Sequence, residues 1–173
     1  MIVSLRTTNQ VSNNTSYTAD MADLGTIRSA IEATMRDFFL SYEDGSAANS
    51  TSPMSRTLTP DCTRTVLPES FFRTRGLGNV FNNAEYEQIL VGDITVARMK
   101  RHTMSNVVID SESRKSAATS VLDLEFKDGD ATAMELTWTF DFNEDGSAIK
   151  RVVEFVDPVA LLKLLEKRKA VGV

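Results

Sequence analysis

The stretch ATAMELTWTFDFNEDGSAIKRVVEFVD, residues 131–157, holds two runs rich in β-branched and aromatic residues on either side of NEDGS. Residues that alternate along a strand point to opposite faces of a sheet, and Asn, Asp and Gly accept the positive φ of a tight hairpin connection. The two runs therefore pair antiparallel. Working backward, KSAATSVLDLEF (115–126) and MKRHTMSNVVID (99–110) repeat the strand signal, with KDGD (127–130) as another hairpin turn. A meander of four long antiparallel strands follows. Beyond it, Asp157 and Pro158 open a closing helix, VALLKLLEKR, as N-cap and first-turn proline.

Upstream of the meander the pattern is helical. Leu24, Ile27, Ile31, Met35, Phe38 and Tyr42 recur at three and four residues, which predicts a helix capped by Asp20 or Asp23 and stopped by the EDGS segment at 43–46. AANSTSPMSRTLTP (47–60) predicts a turn or short helix, and Cys62–Leu67 a brief strand. ESFFRTRGLGNVF (69–81) reads as a loop. Its glycines give mobility and Phe71, Phe72 and Phe81 an apolar underside, as in a pocket lid. A third helix starts at Asn82 or Asn83, presents Tyr86, Ile89 and Leu90 on one face, and ends near Gly92. Residues 1–19, polar and without apolar periodicity, are expected to be an arm, and 20–170 one domain. Helices first and strands afterwards make an α+β order rather than the alternation of a parallel sheet.

Composition excludes several classes. A net charge of −5 without a dense basic tract argues against nucleic acid. No apolar run approaches the roughly 18 residues that span a bilayer, and the first residues lack a secretory pattern, so a cytoplasmic protein without membrane attachment is expected. Cys62 and His102 are the only residues of their types, which rules out an intrachain disulfide and a Cys/His zinc cluster within one chain. No metal spacing or phosphate-cradling glycine motif occurs, so no cofactor is expected.

Strand parity isolates two carboxylates. Thr119, Val121, Asp123 and Glu125 share one face of their strand, and both faces of that strand are mixed. Glu154 shares its face with Val152 and Val156. A carboxylate between valines stands either at an edge with solvent beyond it or in a cavity, ready for proton transfer. His102, the only imidazole, is a further candidate for moving a proton near neutral pH, or a rim residue.

The segments TPDCTRTVLP (59–68), NNAEYEQIL (82–90) and FNEDGSAIKRVVEFVD (142–157), in this order of elements, resemble the SnoaL-like branch of the nuclear transport factor 2-like superfamily. Within it, the fungal secondary-metabolite isomerases and cyclases of tetrahydroxanthone or meroterpenoid type are most similar. The resemblance implies a cone in which a curved antiparallel sheet and N-terminal helices enclose one pocket, and a homodimer formed through the open sheet face. It places the family's pocket carboxylate on Glu154 and its partner aspartate on Asp123, with His102 competing for the same roles. Short-strand pocket positions fall on Cys62, Arg64 and Val66, where Arg64 would steady an enolate. Val121, Met134, Leu136 and Trp138 would face the cavity along with Phe72 of the lid. Val121 stands where epoxide-hydrolase members carry an arginine, which argues against epoxide opening. The expected function is a cofactor-independent isomerase or cyclase acting on a polycyclic polyketide or terpenoid. The alternatives are a dehydratase of the same fold and a non-catalytic ligand-binding or scaffold dimer.

Overall fold

Helix α1 (Ser12–Ala48) lies first in a computed structural model that describes residues 12–173, with side chains from Asp23 onward. Residues 1–11 of the expected arm lie outside the described residues. From Ser12 the backbone is helical, so Asp20 and Asp23 fall within α1 rather than capping it. The helix also runs through the EDGS segment to Ala48, where Asn49 takes a left-handed φ of 49° and ends it. Its buried stripe of Ile27, Ile31, Met35, Phe38, Phe39 and Tyr42 supplies much of the core.

After a 3₁₀ turn at Ser52–Ser55 come β1 (Leu58–Leu67), the short helix α2 (Glu69–Arg73), β2 (Val80–Asn82) and α3 (Asn83–Val96). The expected loop over 69–81 thus contains a helical turn and an edge strand. α3 begins with a capping box between Asn82 and Glu85 and continues past Gly92 instead of stopping there. The long strands β3 (Ala97–Asp110), β4 (Lys115–Phe126), β5 (Ala131–Phe142) and β6 (Ile149–Val156) follow, then α4 (Pro158–Ala170), whose first turn is capped by Asp157.

The strands form one six-stranded sheet in the order β2-β1-β6-β5-β4-β3. The meander is antiparallel as its turns require. The sheet as a whole is mixed, because β6 inserts between β5 and β1 and runs parallel to β1. The β5–β6 turn is pinned to α1 at Gly146, where Thr34 donates its hydroxyl to the Gly146 carbonyl at 2.9 Å. A Cβ at Gly146 would lie 2.8 Å from Ile31, and its φ of 78° disfavours other residues, so this contact requires glycine.

Alternation sends Leu122 and Leu124 of β4, Met134, Leu136, Trp138 and Phe140 of β5, and Val152, Glu154 and Val156 of β6 to the covered face. A register shift between Met99 and Arg101 lets Lys100 and Arg101 both point outward, so that Met99 and His102 both point in. Burial of this apolar set, at about 25 cal/mol per Å², is the main force holding the helices on the sheet. The other face of the sheet carries Val121, Asp123, Glu135, Thr137 and Phe155 and is not covered by a helix of the described residues. No helix among the described residues is long and apolar enough to cross a membrane.

Candidate active site

A cavity of about 620 Å³ lies on the covered face of the sheet. β4 and β5 supply its floor through Leu122, Leu124, Met134, Leu136 and Trp138, and Phe72, Leu77 and Phe81 close it from the segment between β1 and α3. Two helices complete the wall in the same way. On α3, Tyr86, Ile89, Leu90 and Asp93 face the cavity, and on α4 Leu161, Leu164, Leu165 and Arg168 do. Both are the i, i+3, i+4, i+7 stripe of a helix face.

At one end the cavity reaches Glu154, which is almost wholly buried. Its Oε2 accepts a hydrogen bond from Arg64 Nη1 at 2.7 Å, and its Oε1 accepts one from the Tyr86 hydroxyl at 2.9 Å. The same Arg64 nitrogen donates to the Tyr42 hydroxyl at 2.7 Å, and the guanidinium lies over the Tyr86 ring at 3.8 Å from its centroid. Parallel pairing of β1 with β6 makes this possible by setting Val66 opposite Glu154 and Arg64 opposite Val152, on adjoining strands of one face. Burial would lower the Arg64 pKa, but the oxygens of Tyr42, Tyr86 and Glu154 outweigh it and hold the guanidinium charged. Burial raises Tyr42 to about 12 and Tyr86 well above the ordinary phenol value, so both stay protonated donors.

Further along the floor, the His102 Nε2 lies 2.9 Å from Ser120 Oγ, which also accepts the indole N–H of Trp138 at 2.7 Å. His102 Nδ1 has no hydrogen-bond partner among the described residues. Its ring is packed against those of Phe39 and Tyr42. Desolvation pushes its pKa down to about 3, so this imidazole is neutral at physiological pH.

The helix walls end in an ion pair that the sequence reading did not find. Arg168 Nη1 donates to Asp93 Oδ1 at 3.2 Å, and burial raises the Asp93 carboxyl to about 6 against the opposing pull of Arg168. The signal was present, since each stripe of apolar residues, on α3 and on α4, ends in a charged residue one turn further on. The expectation that α3 stops near Gly92 concealed Asp93.

Other expected positions fall as follows. Val66, Phe72, Met134, Leu136, Trp138, His102 and Glu154 line the cavity. Asp123 does not: it points from the opposite face of β4 and pairs there with Arg101 Nε at 3.0 Å. Val121 shares that outward face. Parity fixes both, because Leu122 and Leu124 occupy the inward direction. Cys62 is buried but does not line the cavity, and burial raises its thiol to about 11, far from a nucleophile. Arg64 is also absent from the cavity wall, so it meets a ligand only through Tyr42 and Glu154. Among the described residues no group of three or more His, Cys, Asp or Glu is placed to hold a metal ion.

The architecture is the α+β nuclear transport factor 2-like fold, here enclosing an acid-bearing apolar cavity. No protein-family model matches the sequence, and no curated protein matches it either. Solved structures do match. BvnE pinacolase from Penicillium brevicompactum superposes with a TM-score of 0.66 at 19% identity over 83% of this chain and 94% of that one. PrhC from Penicillium brasilianum gives 0.67 at 15% over 84% and 92%. A nuclear transport factor 2-like protein from Burkholderia pseudomallei gives 0.54 at 14% over 78% and 96%. At these identities the likeness establishes the fold.

Proposed function

We propose that the chain is an enzyme, a cofactor-independent isomerase or cyclase that moves protons on a polycyclic polyketide or terpenoid of fungal secondary metabolism. The observation that carries this reading is Glu154, a buried carboxylate fixed by Arg64 and Tyr86 on the wall of a cavity lined mainly by apolar and aromatic side chains. A carboxylate so held is an oriented base. Taking a proton from a carbon next to a ligand carbonyl, it leaves the electron pair in a new C=C bond and negative charge on the oxygen. Tyr42, which accepts from Arg64, has its own proton to offer to such an oxygen. Returning the proton at another carbon completes an isomerisation, and attack of the enolate carbon on an internal electrophile completes a cyclisation. Neutral His102, held to Ser120 through Nε2, contributes to the cavity floor beside Trp138.

Two neighbours support the class: BvnE is described as a pinacolase, and TerC was co-crystallised with polyporic acid. A dehydratase would use the same base and show a product lighter by one water. A ligand-binding dimer would need only the apolar wall. The test is deuterium incorporation into a panel of bicyclic and tricyclic ketones in heavy water, read by mass spectrometry. Exchange faster than that of the Glu154→Gln protein supports acid/base catalysis, and equal exchange leaves the binding reading.

A further inference from the structure

The cavity wall carries a second charged pair, Asp93 and Arg168, that proton transfer does not account for. Tyr86 and Asp93 stand seven residues apart on the cavity face of α3, about two turns or roughly 10 Å along its axis. We propose that Arg168, seated in the recess at Gly92, is the anion-binding group of this cavity. Its ligand is then a ring system that carries an ionised oxygen, a carboxylate or an acidic enol or phenol, set against α3 and α4. That the same molecule is the one that reacts rests on the reading of Glu154 as the base.

Three observations converge. Gly92 is buried in the middle of α3, where glycine disfavours a helix, and it is not among the residues with positive φ. Its missing side chain is used for space: a Cβ there would lie 2.5 Å from Arg168 Cζ and Nη2. The helix thus carries a recess for the guanidinium. Secondly, a guanidinium has five N–H donors, and Arg168 commits Nη1 to Asp93 Oδ1, its one hydrogen-bond partner among the described residues. Its remaining donors are unused beside the cavity. Thirdly, α4 puts two cations, Arg168 and Lys169, on the cavity wall, whereas Glu154 on the same wall is matched by Arg64. The two cations attract an anionic group of a ligand to the α4 side.

The competing account makes Asp93–Arg168 only a latch between α3 and α4. Fluorescence titration separates the two, using 2-anthracenecarboxylate and its uncharged counterpart 2-anthracenemethanol as probes. The wild-type protein should prefer the carboxylate. Arg168→Gln should weaken the carboxylate about tenfold or more, the scale of one charge-assisted hydrogen bond, and leave the alcohol within about twofold. Asp93→Asn, which removes the competing carboxyl while Gly92 still seats the guanidinium, should leave carboxylate binding equal or tighter. The two variants therefore move in different directions, which no latch produces. Glu154→Gln should retain the preference, so the result is independent of whether the protein turns anything over. Absence of a preference in the wild type, equal loss of both probes in Arg168→Gln, or weakening of the carboxylate by Asp93→Asn would each overturn the proposal.

Discussion

Trp138 and Glu154 sit directly opposite each other on β5 and β6. The indole is thereby placed between the two chemical centres of the cavity floor, with the carboxylate across the strand on one side and, through Ser120, the His102 ring on the other. Its N–H is consumed by Ser120, so it offers a ligand an aromatic surface and no donor.

Glu154→Gln should lower turnover roughly 100-fold or more, the scale of a lost general base. It should also cost about 3 kcal/mol of stability, because Arg64 is left buried without its counter-charge. Chemical denaturation measures the second effect. The double variant Arg64→Met/Glu154→Leu should recover most of that stability with no recovery of activity, which separates the two roles.

Asp123→Asn should leave turnover within about twofold, since its partner is the half-exposed surface contact to Arg101 and such pairs contribute little. A large kinetic loss in this variant would mean that the outer face of β4 takes part in function.

His102 makes the fold acid-sensitive. Its folded-state pKa of about 3 lies below the ordinary 6.5, so the unfolded chain binds the proton more readily between those values. The contribution to stability is complete above about pH 6.5 and falls away as pH drops toward 3. Urea midpoints across that window should decline in the wild type and decline less steeply in His102→Phe.

Residues 71–81 contribute Phe72, Leu77 and Phe81 to the cavity wall and are tied to β1 through Val66 and Asn79. Binding of 2-anthracenemethanol should slow amide exchange across this segment more than in β4 or β5. Unchanged exchange at saturation would remove its role as a lid.

The uncovered sheet face carries Val121 and Phe155, 38% and 48% exposed, among hydroxyl side chains of β4 and β5. We propose that a second copy covers it. Light scattering should give twice 19.1 kDa, and Val121→Arg with Phe155→Glu should return the single-chain mass.

The four long strands were legible because NEDGS and KDGD fix the hairpins and because Trp138, Phe140, Val152 and Val156 keep their parity. Asp123 was misplaced because the inward face of β4 begins with Ser116, Ala118 and Ser120, small or polar residues that blur its contrast with the outward face. Ser120 is inward for a reason that no periodicity carries: it joins Trp138 to His102. The register shift at Lys100 and Arg101 hides the burial of His102 in the same way, since simple alternation groups it with Lys100. The valines beside Glu154 left edge and cavity both open, and the family resemblance favoured the cavity; its surroundings were not legible, because Arg64, Tyr42 and Tyr86 come from three distant segments.

Parallel pairing of β1 with β6 has a bearing on the order in which the chain assembles. Arg64 and its carboxylate are 90 residues apart, and β6 is the last strand to leave the ribosome. A partly folded chain that has collapsed around β1 before β6 arrives buries a guanidinium with no anion beside it, a costly state. A route that closes α1 over β1 before β6 arrives is therefore disfavoured, and one in which the meander β3–β5, rich in local contacts, precedes the docking of β6 is favoured. Substitutions at Arg64 or Glu154 should accordingly change the rate of refolding as well as the chemistry.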